Sequence, residues 1–248
     1  MCALLFIGLG IHGDKGIPLL GIDALKGCEV VYVEAYTSPL QEDVIEALSI
    51  HTGKEIKSVS REFVEDGRVI INQAGKKDVA LITPGDPMIA TTHMDLRVRA
   101  EGKGVKTQVI HSSSILSAIP GETGLHAYKF GKTVTITRSP PASLVSVYET
   151  VYENLVRGLH TILLLEYNYT TDLQLTPRDA LKGMIGCEED VRLDIFKPDT
   201  FTIVTSRLGS LTQSVVAGSI ESLLDREYGD PPYALIIPGS LHFTEVDA

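Results

Sequence analysis

From its third residue the chain alternates short β-branched runs with stretches of helical period, and this constrains the fold more than any other feature. Residues 3–9, 29–34, 55–59, 78–83 and 105–110 read as strands. Residues 39–49, 61–73 and 93–101 between them read as helices. Ser38 as N-cap, Pro39 at the first helical position and Gln41 three residues after Ser38 mark the first helix start, with Gly53 beyond its end. Ser60 caps the second helix, which Gly75 stops, and Thr92 caps the third. Strands separated by helices predict βα units and a mainly parallel sheet. One such set closes near residue 111. Ser112-Ser113-Ser114 and Pro120-Gly121-Glu122-Thr123-Gly124 are loop-rich and mark a linker. The expected organisation is two α/β domains, residues 1–111 and 112–248. In the second, strands are expected at 133–137, 161–166, 200–205 and 234–237, and helices at 143–156, 177–186 (Thr176 as N-cap) and 220–227.

Composition narrows the function classes. Of 248 residues, 44% are hydrophobic and 22% charged, enough for an ordinary core and unlike a disordered chain. The formal net charge of −10 argues against broad phosphate-backbone binding, so nucleic acid is not an expected partner. Apolar runs such as Ile162-Leu163-Leu164-Leu165 fall far short of the ~20 residues of a membrane span. The opening residues lack a basic region and a cleavage site, and read as a strand rather than a signal peptide. Cys2, Cys28 and Cys187 are odd in number and without Cys-x-x-Cys spacing. They read as small packing residues of a cytoplasmic protein, with no zinc site implied.

Two glycine signals stand out. Gly8-Leu9-Gly10-Ile11-His12-Gly13 matches G-x-G-x-x-G after a strand, and Glu34 ends the next strand 21 residues beyond Gly13. Alone this suggests a nicotinamide-dependent oxidoreductase. The context opposes it: Pro18 places the next helix start about five residues too late for a pyrophosphate to sit on its N-terminus. The second signal is Thr83-Pro84-Gly85-Asp86-Pro87, directly after a strand, where ligands of open α/β sheets bind. Prolines flank a Gly-Asp pair, and Gly85 allows close approach to the backbone. Outward carbonyls and one carboxylate suit a cationic ligand. The tripeptide recurs at Gly229-Asp230-Pro231, which reads as a helix C-cap and stop.

Gly8-Leu9-Gly10 together with Gly85-Asp86-Pro87 resembles the tetrapyrrole-methylase-like class of S-adenosylmethionine methyltransferases. Longer stretches narrow the resemblance to the archaeal diphthine synthase family. They include Glu34-Ala35-Tyr36-Thr37-Ser38, Ala90-Thr91-Thr92-His93, Thr123-Gly124-Leu125-His126 with Tyr128-Lys129-Phe130-Gly131-Lys132, Gly158-Leu159-His160-Thr161, and Tyr228-Gly229-Asp230-Pro231-Pro232 with Pro238-Gly239. The resemblance implies two α/β domains with the donor in the cleft between them, and a homodimer. It implies methylation of the amino group on a modified histidine of elongation factor 2, in diphthamide biosynthesis, with S-adenosylmethionine as methyl donor. The donor contacts it implies are Ile11, Asp86, Ile89, Ser114, Ile115, Leu165, Leu208 and Tyr233. Leu208 is bulkier than the small residue of the family pattern and Tyr233 stands where His is frequent, so contact there is expected through the backbone. A same-fold methyltransferase acting on a corrin or porphyrin ring is the alternative.

Methyl transfer from a sulfonium to an amine is an in-line displacement by an already activated donor, so alignment is the main task. The proton can leave to water, and no catalytic side chain is assigned. His93, at a helix start near the Gly-Asp-Pro loop, and His126, in the second loop-rich stretch, are the histidines weighed as substrate contacts. His12, His51, His111, His160 and His242 read as surface or packing residues, Lys129 and Lys132 as solvated loop residues, and Thr37 and Ser38 as a helix cap.

Overall fold

The computed structural model describes residues 2–138, 141–168 and 173–248. Contacts divide the chain into two compact units, one ending at Ile115 and the other Leu116–Ala248. The division falls past the serine run because Ser112 is tied into the first unit: its amide donates to Asp86 and its hydroxyl to the Gly16 carbonyl.

The first unit runs β1 (Ala3–Gly10), α1 (Leu19–Gly27), β2 (Val30–Glu34), α2 (Glu42–Thr52), β3 (Ile56–Val59), α3 (Arg61–Asp66), α4 (Arg68–Ala74), β4 (Val79–Pro84), α5 (His93–Gly102) and β5 (Lys106–Ile110). Its sheet has the order β3-β2-β4-β1-β5, with every pairing parallel. β1 is almost wholly buried and β4 fully so, and both are apolar but for Thr83, because both faces are covered. Alternate side chains feed two cores. Leu4, Phe6 and Leu81 pack with Ile70 and Leu96 on one face, and Leu5, Ile7 and Ile82 with Leu25 and Leu48 on the other. Each such buried side chain contributes roughly 1.5–3 kcal/mol. The connections leaving the adjacent strands β1 and β4 run in opposite directions, to β2 and to β5. The carboxyl ends of β1 and β4 are therefore the sheet's topological switch point, where open α/β folds place their ligands.

Two helices differ from expectation. α2 begins at Glu42 with Gln41 as N-cap, not at Pro39. The amides of Tyr36 and Thr37 are already taken by the Glu34 carboxylate at 3.1 and 3.0 Å, and this turn delays the helix. The stretch expected as one helix over 61–73 breaks into α3 and α4 at Gly67, whose φ is +62°. A Cβ there would lie 2.4 Å from the Leu96 side chain. Arg99 secures the break by donating to the carbonyls of Glu65 and Asp66.

The second unit's elements are α6 (Ile115–Thr123), which starts on the last residue of the first unit, β6 (Val134–Ile136), α7 (Pro141–Val156), β7 (Thr161–Leu165), β8 (Tyr167–Asn168), β9 (Leu173–Gln174), α8 (Pro177–Val191), β10 (Phe201–Ser206), β11 (Ser214–Ser219), α9 (Ile220–Leu224), β12 (Tyr233–Ile237) and α10 (Phe243–Asp247). The main sheet has the order β11-β10-β12-β7-β6 and is mixed. Only β6–β7 is parallel within it. Alternation of strands and helices does not encode strand direction, and the β10–β11 hairpin needs no crossover helix. Tyr148 and Val151 of α7 and Leu181 and Met184 of α8 pack on Leu163, Val204 and Leu235 of this sheet. The second half of the expected linker is helical. Pro120 lies inside α6, where it removes one backbone bond without stopping the helix. α8 runs past Gly186 to Val191, and α9 ends at Leu224 rather than near residue 227.

Candidate functional site

The two glycine signals of the first unit are one structure. Gly10 and Gly85 exchange backbone hydrogen bonds, Gly10 N to Gly85 O at 3.0 Å and Gly85 N to Gly10 O at 2.9 Å. Both have positive φ, +78° and +76°. A Cβ on Gly8 would lie 2.7 Å from the Gly85 carbonyl, so glycine at position 8 lets the loops after β1 and β4 touch. The G-x-G-x-x-G run does not open a helix. Its last glycine starts a short 3-10 turn, Gly13–Gly16, and α1 begins only at Leu19. Glu34 is fully buried on the Tyr36 and Thr37 amides, where burial raises its pKa against those bonds. Neither half of a dinucleotide fingerprint has the geometry that function needs.

Asp86 turns its carboxylate inward, not outward. Oδ1 accepts from the Met88 amide at 2.9 Å, and Oδ2 from His111 Nδ1 at 2.8 Å and the Ser112 amide at 3.2 Å. The buried carboxylate thus ties the β4 loop to the end of β5. What this loop offers outward is backbone: among the described residues, an ideal Cβ on Gly85 would meet no heavy atom within 4 Å beyond its chain neighbours. Ile89 is exposed just beyond, and Ala90 holds a positive φ of 55°. The Ile11 amide donates to Ser113 Oγ at 3.3 Å, and Ser114 and Ile115 follow. Of the eight donor contacts implied by resemblance, five (Ile11, Asp86, Ile89, Ser114 and Ile115) therefore gather beyond the carboxyl ends of β1, β4 and β5.

Leu165, Leu208 and Tyr233 belong to the second unit. Tyr233 pairs with Ser206 in the β10–β12 ladder, and Leu164 pairs with Ala234 in the β7–β12 ladder. Leu165 and Tyr233 thus share one end of this sheet, and Leu208 lies two residues beyond β10. The Arg207 amide donates to the Pro232 carbonyl at 2.9 Å. Its guanidinium donates to the carbonyls of Tyr228 and Thr212, each at 2.9 Å, and of Asp230. The second Gly-Asp-Pro copy is therefore not a helix cap. Gly229 lies five residues beyond α9, and a Cβ there would come 2.9 Å from the Arg207 guanidinium.

The two histidines weighed as substrate contacts are both engaged. His93 is fully buried, with Nδ1 3.0 Å from the Pro87 carbonyl and Nε2 3.2 Å from the Tyr36 hydroxyl. Burial lowers its pKa against the hydrogen bond to Pro87. His126 lies between the Tyr128 hydroxyl at 2.7 Å and the Thr244 hydroxyl at 3.0 Å. Lys129 is not a solvated loop residue: its ammonium pairs with buried Glu245. Sequence reasoning missed Glu245. Burial would raise its pKa. Bonds from the His242 amide, Lys129, the His126 amide and His160 outweigh that and hold it well below the carboxylate range. The available signal was the His242-x-x-Glu245 spacing, a capping box with histidine in the Ser/Thr place.

Residues 3–224 match the tetrapyrrole (corrin/porphyrin) methylases. Diphthine synthase of Methanothermobacter thermautotrophicus is 37% identical over 245 residues, covering 98% of this chain and 93% of its own. That of Methanocaldococcus jannaschii is 38% identical over 249 residues, covering 99% and 96%. A crystal structure of diphthine synthase matches with a TM-score of 0.88 at 33% identity, over 99% of this chain and 93% of that one. The chain belongs to the tetrapyrrole methylase family and, within it, to the diphthine synthases. Its activity is S-adenosylmethionine-dependent methylation in diphthamide biosynthesis.

Proposed function

We propose that the chain methylates the amino group of a modified histidine of elongation factor 2, and that it binds S-adenosylmethionine through Ile11, Asp86, Ile89, Ser114 and Ile115 of the first unit and Leu165, Leu208 and Tyr233 of the second. The observation that carries this reading is the open backbone face at Gly85, on a turn fixed from behind by its own carboxylate, at the sheet's switch point. In this reading Asp86 contributes through its main chain, because its carboxylate is engaged. The open face at Gly85 leaves room for the donor against the turn, whose shape rests on positive φ at Gly85 and Ala90. Catalysis is alignment of amine, methyl carbon and sulfur, with the amine proton leaving to water and no catalytic side chain. We further propose that the enzyme works as a homodimer in the cytoplasm, with neither nucleic acid nor a membrane as partner.

The test is transfer of label from S-adenosylmethionine to elongation factor 2. Label is expected only when the target histidine already carries its aminocarboxypropyl group. Labelling of a corrin or porphyrin precursor, with none of the protein, would reassign the substrate while leaving the donor site in place.

A further inference from the structure

The turn that follows Gly85 is held at one atom. The Pro87 carbonyl accepts from the Thr91 hydroxyl at 2.8 Å and lies 3.0 Å from His93 Nδ1, so two side chains from just beyond the turn converge on it. Between the anchor and its donors sits Ala90, a non-glycine residue at φ +55°, a conformation kept only where neighbouring contacts over-determine it. The Thr83 hydroxyl also lies 3.4 Å from Nδ1, but the Pro87 carbonyl is the nearer partner, and because a carbonyl can only accept, a bond to it puts the proton of the neutral imidazole on Nδ1. Nε2 then carries the lone pair and accepts from Tyr36 O–H at 3.2 Å. Tyr36 is itself fixed, its amide bonded to buried Glu34. The His93 ring stacks against Phe6 of β1, with ring centroids 6.2 Å apart. The chain of contacts runs from the sheet interior to the back of the turn, and His93 is the link between them.

We propose that His93 is a positioning residue for the methyl donor: by donating from Nδ1 to the Pro87 carbonyl, it holds the 86–90 turn in its ligand-binding shape. This rests on the reading that the donor binds this turn. His93 itself is buried behind the loop, so its effect falls on donor affinity and not on the chemical step.

Three variants and one spectrum test it. Asparagine places an amide N–H at the position of Nδ1, whereas leucine fills the space without a donor. With S-adenosylhomocysteine as the calorimetric probe, His93→Leu is expected to raise Kd by roughly tenfold or more. His93→Asn is expected to stay within about threefold of the parent, with kcat at saturating donor little changed in both. Tyr36→Phe removes the donor that favours this tautomer and is expected to raise Kd by a smaller factor. In the parent enzyme, ¹⁵N imidazole shifts are expected to show His93 protonated at Nδ1 and bare at Nε2, a readout that needs no variant to fold. An Nε2–H tautomer, a leucine variant with parental Kd, or an asparagine variant as weak as leucine would each overturn the proposal. Failure of the parent enzyme to bind the probe would instead remove the donor site itself.

Discussion

At the scale of the residue, the most consequential positions are those where backbone conformation and contact leave one choice. Gly85 combines φ +76° with an open face, so a side chain there is strained and would fill the space the proposed donor site needs. Gly85→Val is expected to weaken donor binding by more than about a hundredfold, or ~2.7 kcal/mol, by calorimetry. Binding at parental affinity would move the donor off this turn. His93 and His160 show the opposite case, in which a titratable group is kept neutral. His160 is fully buried, with Nδ1 accepting from the Gly239 amide at 2.8 Å and Nε2 donating to Glu245 at 3.0 Å. Burial lowers the pKa of both rings below the ordinary 6.5, in His160 against the pull of Glu245 and in His93 against that of Pro87. Their contribution to stability is therefore complete above about pH 6.5. It is lost as the pH falls from there through the folded-state values, because the unfolded chain takes up protons first. Denaturant midpoints at pH 7.5 and pH 5.5 should differ, with the lower stability at pH 5.5. In a His93→Asn, His160→Asn double variant that still folds, the difference should shrink.

At the scale of the element, caps and breaks decide more than propensity does. The α3–α4 break depends on Gly67, where any side chain meets Leu96. Gly67→Ala is expected to cost about 1–3 kcal/mol by overpacking and positive φ together. Urea denaturation measures it, and an unchanged midpoint would mean that the two helices can merge. α10 is held by Glu245, which accepts from two backbone amides, Lys129 and His160. Removing one partner of a buried pair leaves the other charge uncompensated. Glu245→Ala is thus expected to lose roughly 3 kcal/mol and to increase hydrogen exchange in α10 before the sheet opens. Uniform exchange across the second unit would show that α10 is not a separate latch. The helix over 39–49 was legible in part. Its body is present, but Glu34 draws the Tyr36 and Thr37 amides away and moves the start to Glu42. β11 carried no usable signal, because Ser214-Val-Val-Ala-Gly-Ser is short, rich in small residues and at a sheet edge.

At the scale of the whole molecule, a ligand that binds only the folded state should stabilise it. S-adenosylmethionine or S-adenosylhomocysteine at a hundredfold excess over Kd is expected to add about 2.7 kcal/mol and raise the melting temperature, and NADH to leave it unchanged. The reverse pattern would restore the dinucleotide reading of Gly8–Gly13. The sequence by itself determined the βα alternation, a largely parallel first sheet and a tight Gly-Asp-Pro turn directly after a strand, because hydrophobic period and turn chemistry are local properties of the chain. Its longer stretches also carried the resemblance to the family. Only the tertiary structure decided that the two glycine runs are one bonded unit, that Asp86 faces inward to His111 and that His93 stands behind the loop. It also decided the antiparallel pairings of the second sheet and the burial of Glu245 against His160, 85 residues away in the chain. All but the short-range His93–Pro87 contact join residues far apart in sequence. No local pattern records them, because a hydrogen bond acts across a few ångströms of space whatever the length of chain between its partners.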